Sequence, residues 1–234
     1  MFMEEQVTQG NDQEHMEAPP EIVGSASTRI RYTLQLAGAP GLGQLVSVAV
    51  ATATYTVFSY LSLLVPSPIP SVSVLFFAIG FGVPFALWFG GWALVIGYIG
   101  NFLGAGLLAP SPLPLPLALL FGTTDLIQLG LPMIMYRLLA SRFGVSPIGK
   151  DVFTIRGFIF FTLYAVLPGN ILGGLYGNFL LLITNQLPPD AFLFSWFTWS
   201  LSNIVFTLVI GSVLLSTLGS LVERFGITMP HALN

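Results

Sequence analysis

The sequence predicts an all-α integral membrane protein: a compact bundle of about six transmembrane helices with both termini cytoplasmic. Three observations lead there. Of the 234 residues 54% are hydrophobic and 7% charged, whereas a soluble domain has about 25% charged residues. No Asp, Glu, Lys or Arg occurs between Arg31 and Asp125. Finally, apolar runs near the roughly 20 residues a helix needs to cross a bilayer follow one another, punctuated by Pro-rich or polar turns.

The elements follow in order. Residues 1–28 are polar, hold six of the ten acidic residues and are broken by Pro19 and Pro20. They read as a disordered tail, without the basic start and apolar core of a signal peptide. Arg29 and Arg31 flank an interfacial segment, 29–42, with the character of a short amphipathic helix. The transmembrane domain is 43–224. Its first span, 43–65, ends at Pro66, Pro68 and Pro70. The stretch 71–109 is too long for one span. Pro84 and the Gly90-Gly91 pair mark a break, giving helices at 71–83 and 86–109, with re-entrant helices as the alternative. The Pro-rich run 110–116 is a loop, and 117–139 is the fourth span. Residues 140–154 form a polar loop with Arg142 and Lys150. A fifth span covers 156–184, a turn with Pro188 and Pro189 follows, and the sixth covers 191–221. The last two exceed about 25 residues, so they tilt or extend along the interface. Residues 225–234 form a C-terminal tail.

Charge supports that count. Six spans with the N-terminus inside put Arg29, Arg31, Arg137, Arg142, Lys150, Arg156 and Arg224, all seven basic residues, on the cytoplasmic side, as the positive-inside rule requires. A single span at 71–109 would carry the 137–156 cluster outside. The expected location is the plasma (inner) membrane, multi-pass.

The chemistry the chain excludes is broad. Without cysteine there are no disulfides, thiol catalysis or cysteine-held clusters. His15 and His231 lie near the two ends, which disfavours a His-based triad or a zinc site. No Gly-x-x-x-x-Gly-Lys-Ser/Thr loop is present, and the Gly-rich runs lack the strand–turn–helix context of a dinucleotide site. No catalytic residues, metal ligands, cofactor or nucleic-acid partner are expected, and the chain does not read as an enzyme.

Glycines and polar residues inside the spans remain. Gly97, Gly100 and Gly104 share one helix face, and Gly100-x-x-x-Gly104 is the small-residue pattern that brings helices close in lipid. Gly173 and Gly177 repeat that spacing in the fifth span. Asp125 is the one acid well inside a span, where a carboxyl normally faces the bundle interior or water. At a rise of about 1.5 Å per residue, Asn101, Asp125, Asn178, Trp199 and Asn203 fall in the outer half of the bilayer on four spans. Gln128 shares a face with Asp125, and Trp196 with Trp199 and Asn203. Asp125 and Asn101 are expected to face each other across an outward-open pocket. Taken singly, each Asn also reads as interhelical glue and each Trp as an interfacial anchor.

The first span, Ser47-Val-Ala-Val-Ala-Thr-Ala-Thr-Tyr-Thr-Val-Phe, contains Ala49-x-x-x-Ala53. Further on stands Phe-Gly-Val-Pro-Phe-Ala-Leu-Trp-Phe-Gly-Gly-Trp-Ala-Leu-Val-Ile-Gly-Tyr-Ile-Gly-Asn-Phe-Leu-Gly at 81–104. Together they resemble the substrate-binding S-components of energy-coupling factor transporters, small six-helix membrane proteins, over about residues 43–220. The resemblance implies that Ala49 and Ala53 face a transmembrane coupling subunit, and that partner ATPases energise uptake of a small molecule captured from outside. The segments Gly122-Thr-Thr-Asp-Leu-Ile-Gln, Asn170 with Gly173-Gly174, and Trp196-x-x-Trp199-x-x-x-Asn203 are also similar to MASE-type integral membrane sensor domains. That second likeness implies a sensing or structural subunit of a larger membrane complex. Neither likeness names a ligand.

Overall fold

The computed structural model describes residues 40–65 and 75–229. The tail 1–28, nearly all of the interfacial segment and the proline-rich turn 66–70 lie outside them. Every regular element among the described residues is helical. Helix α1 is Leu42–Ser62, α2 Ala78–Phe89, and α3 Trp92–Asn101, which runs on through a π-helical stretch, Phe102–Leu107. Helices α4 (Leu115–Gly122) and α5 (Thr124–Ala140) form one rod that ends in a 3-10 turn, Ser141–Phe143. Helices α6 (Ile155–Phe161) and α7 (Leu167–Ile183) are joined by a π-helical stretch, Thr162–Val166. The last rod is α8 (Phe192–Phe206), a π-helical stretch Thr207–Gly211, and α9 (Ser212–Arg224).

Four of these units are long and apolar enough to cross a membrane: Leu42–Ser62, Leu115–Phe143, Ile155–Ile183 and Pro189–Arg224. The two between the first and second, Ala78–Phe89 and Trp92–Leu107, are apolar but shorter. The outer surface fits lipid. Val46, Val50 and Val57 on α1, and Leu193, Phe194, Phe197, Leu201, Val205, Val209 and Val213 on the last rod, are all exposed. A soluble monomer rarely leaves a contiguous apolar face of that extent uncovered.

The break within 71–109 differs from the expectation in one respect. Pro84 does not interrupt a helix; it lies inside α2. Eleven of the twelve α2 residues are buried, and such packing lets an embedded helix keep a proline despite the missing N–H. The chain turns instead at Gly90, whose φ of 57° and ψ of −131° are essentially closed to residues with a Cβ. The helices therefore run 78–89 and 92–107, not 71–83 and 86–109.

Successive rods alternate in direction. At one end α1 begins, α2 ends and the 141–154 loop sits. Gln44 donates to the Thr228 carbonyl (3.3 Å), Trp88 Nε1 to the Ile148 carbonyl (3.2 Å), and the Met229 N–H to the Trp88 carbonyl (2.8 Å). Arg137, nearly buried, donates to the Met229 carbonyl. Residues 225–229 thus fold back over the bundle, and Met229 is wholly buried. Arg142, Arg156, Arg224 and the Lys150–Glu223 ion pair (2.8 Å) lie at this same basic end. At the opposite end the Phe77 N–H donates to Ser62 Oγ (2.9 Å) where α1 gives way to α2.

Glycines set the helix spacings. A Cβ at Gly100 would lie 2.5 Å from Tyr55 Cδ1, and one at Gly104 2.5 Å from the Thr56 carbonyl oxygen, so α3 lies directly on α1. At Gly97 a Cβ would meet Leu129 at 2.6 Å and Asp125 at 3.0 Å, so α5 packs as closely on the same helix. These contacts are made inside the chain. Ala49 and Ala53, by contrast, are exposed on the outer face of α1.

Candidate functional site: a polar node among α1, α5 and α8

Asp125 sits in the first turn of α5 and is wholly buried. Placing a carboxyl in an apolar interior is costly unless its oxygens find donors, and both oxygens of Asp125 do. Tyr55, on α1, donates its hydroxyl to Oδ2 at 2.9 Å. Gln128, one turn along α5, reaches Oδ1 at 2.7 Å with its amide turned so that the nitrogen faces the acid. In that orientation the Gln128 oxygen accepts from Asn203 Nδ2 (3.0 Å) and Trp199 Nε1 (3.2 Å), both on α8. Helices α1, α5 and α8 are thereby tied through five side chains, each at most 7% exposed.

Helix α7 makes room for the node. A Cβ at Gly173 would fall 2.1 Å from Gln128 Cγ, and the three nearest atoms all belong to Gln128. One turn on, a Cβ at Gly177 would meet the Trp199 ring at 2.9 Å and Thr124 at 3.1 Å. The packing role expected for Gly173 and Gly177 is therefore exercised on the polar side chains themselves. The face of α7 continues into two flanking pairs. Asn170 donates to Thr207 Oγ1 (3.2 Å) inside the π-helical stretch, and Asn178 donates to the Gly174 carbonyl (2.7 Å) and accepts from Ser195 Oγ.

Several buried oxygens around the node have no hydrogen-bond partner among the described residues: Asn101 Oδ1, Thr124 Oγ1, Asn170 Oδ1 and Asn203 Oδ1. Each is an acceptor, or a hydroxyl able to accept.

The expected residues divide into three sets. Asp125, Gln128, Trp199 and Asn203 come together as one unit. Asn178 is buried one turn away in its own pair. Asn101 does not bond Asp125; it donates to the Phe121 carbonyl at 3.3 Å. The register explains the miss, because Asp125 packs against Gly97 and Phe121 against Asn101, so in antiparallel helices Asn101 lies one turn from the acid. Trp196 turns outward and donates to the Ile171 carbonyl at 3.1 Å. It lines a surface groove of about 230 Å³ with Phe197 and Leu201. Tyr55 is the member that sequence reasoning passed over. A buried tyrosine needs a partner for its hydroxyl, and its place in the middle of an apolar span was the signal. The turn 66–70 is outside the described residues, as are His15 and His231.

No protein-family model, curated protein or solved structure matches the chain.

Proposed function

We propose that this chain is a membrane-embedded subunit that binds a small polar molecule, with the node of Tyr55, Asp125, Gln128, Trp199 and Asn203 as its site. The supporting observation is the convergence of these side chains in an apolar bundle, with acceptors of Asn203, Thr124, Asn170 and Asn101 left open around them. A ligand with N–H or O–H donors would satisfy these oxygens. An amine would be favoured further by Asp125, the one acid in that interior. With the basic end in the cytoplasm, as the positive-inside rule has it, capture is from the outer side of the plasma membrane. Following the S-component likeness, energy comes from a partner ATPase through a transmembrane coupling subunit seated at Ala49 and Ala53, which stand exposed on α1.

Mass spectrometry of small molecules released from gently purified protein tests this reading. The expected result is a polar molecule bound by wild type, lost or weakened in Asp125→Asn while the fold is kept, and a coupling ATPase in the same mild-detergent preparation. Wild type that releases no such molecule and brings no ATPase would refute it.

One observation favours a second reading, a sensing or structural subunit of a larger membrane complex. Both Asp125 oxygens are already engaged by Tyr55 and Gln128, so the node holds three helices together without any ligand. On that reading Asp125→Asn changes thermal stability and no bound molecule is found.

A further inference from the structure

At least three grooves mark the described surface. Two are lined without any charged residue: the one beside Trp196, and one of about 360 Å³ formed by Leu172, Leu175, Tyr176, Phe179 and Phe192. The third, about 510 Å³, is different in kind. Phe143, Ile155, Ile159, Phe160, Leu163 and Tyr164 line it together with Arg156.

Its shape follows from the helix that builds it. Ile155, Ile159 and Leu163 are four residues apart, so they form one exposed edge along the start of the α6–α7 rod. Eight residues at about 1.5 Å each give a slot of roughly 12 Å along the rod. The other wall is aromatic and braced. Phe160 and Tyr164 lie with ring centres 4.5 Å apart, Phe143 touches both at 5.3 and 5.9 Å, and Tyr136 backs Phe160 at 5.0 Å. A slot of this kind suits a hydrocarbon chain lying along the membrane normal.

Charge sits only at its mouth, at the basic end of the bundle. The Arg156 guanidinium lies over Gly144, where a Cβ would come within 3.4 Å of Nη1. Arg142 is the exposed neighbour of Phe143. Among the described residues no acid pairs with either of them. Among the described residues Lys150–Glu223 is the one ion pair, Asp151 Oδ2 accepts from the Ser146 N–H (2.9 Å), Asp125 is buried in the node, and Asp190 stands at the opposite end. Two cations at headgroup level above an apolar slot match an anionic amphiphile. An arginine fork pairs with a phosphate through two parallel hydrogen bonds, and basic pockets between membrane helices favour acidic head groups.

We propose that this groove is a binding site for one anionic phospholipid of the adjacent leaflet, its phosphate held by Arg156 and assisted by Arg142, and one acyl chain lying between the Ile155–Ile159–Leu163 edge and the Phe143–Phe160–Tyr164 wall. The site lies apart from the polar node and does not depend on the reading given to it.

Native mass spectrometry of the full chain in mild detergent, titrated with phosphatidylglycerol and with phosphatidylcholine of the same acyl chains, tests the proposal. Wild type should hold one phosphatidylglycerol in clear preference. Arg156→Gln should reduce that preference about fivefold, the factor expected for one basic residue near a charged headgroup, with a smaller loss in Arg142→Gln and most of it retained in Arg156→Lys. Ile159→Trp, which fills the slot, should weaken both lipids. Size-exclusion profiles and helical circular dichroism identify any variant that has lost its fold. Equal binding of the two lipids by wild type would overturn the proposal. An unchanged preference in folded Arg156→Gln, or complete displacement of the lipid by millimolar inorganic phosphate, would do the same.

Discussion

Gly173→Ala is the substitution whose sign the structure sets most sharply. In an ordinary helix it would stabilise by about 1 kcal/mol, because alanine is the better helix former. Here the added methyl would lie 2.1 Å from Gln128 Cγ. Comfortable carbon contacts begin at about 3.5 Å, so roughly 1.4 Å must be opened by moving the Gln128 stem. Overpacking of that kind costs about 1–3 kcal/mol. The displaced amide also gives up its bond to Asp125, about 1 kcal/mol more for a typical hydrogen bond. After the intrinsic gain is subtracted, the expected net loss is about 1–3 kcal/mol. Because the three nearest atoms all belong to Gln128, the effect should reverse once that side chain is truncated. In a Gln128→Ala background, Gly173→Ala should be neutral or stabilising by up to about 1 kcal/mol. A double-mutant cycle on reversible unfolding in mixed micelles measures the coupling. Additive effects of the two substitutions would refute the close approach of α7 to the node.

Tyr55→Phe removes one of the two donors to Asp125; a loss of about 1–3 kcal/mol is expected for the buried oxygen left unpaired, and the same unfolding assay would expose a neutral result. Gly90→Ala places a Cβ on a residue at φ 57° and should cost about 1–3 kcal/mol, seen as a lowered thermal midpoint; an unaltered midpoint would mean the turn lies elsewhere. Lys150→Met breaks the Lys150–Glu223 pair, whose side chains are 47% and 42% exposed, so its effect should stay below about 1 kcal/mol; a larger loss would show that pair to be part of the packed end. Removing residues from Gly226 onward deletes the Met229 N–H bond to Trp88 and the Arg137 contact, and should speed proteolysis in the 144–154 loop; unchanged cleavage kinetics would indicate that the fold-back is incidental.

Much of the helical plan was legible because composition and punctuation carry it. The apolar runs at 43–65, 117–139, 156–184 and 191–221 appear within a few residues as the four units of membrane-crossing length. Between the first two, proline was the misleading signal. Pro84 interrupts a helix in water more readily than one enclosed by other helices, whereas Gly90 was needed for its backbone conformation. The site was legible in part. Asp125, Gln128, Trp199 and Asn203 could be grouped because helical spacing places each pair on one face. Asn101 was misplaced by one turn because counting from span ends does not give the register between rods, which Gly97 sets by its contact with Asp125. Tyr55 escaped because a tyrosine in an apolar run is ordinarily core, and its partner lies 70 residues away.

The enclosure of α2 bears on how the chain comes together. A Cβ at Gly80 would lie 2.8 Å from Ile210 Cβ, so the helix meets a wall supplied 130 positions later. Helix α2 also rests on Tyr55 through Gly82, and on Leu129 of α5. Until the last rod is in place, one flank of α2 faces lipid, which its apolar side chains accept. The first half of the molecule can therefore wait in the bilayer as a loose assembly and tighten when the final rod arrives. A chain cut within 144–154 should yield two inserted fragments that are individually protease-sensitive and become resistant when co-expressed.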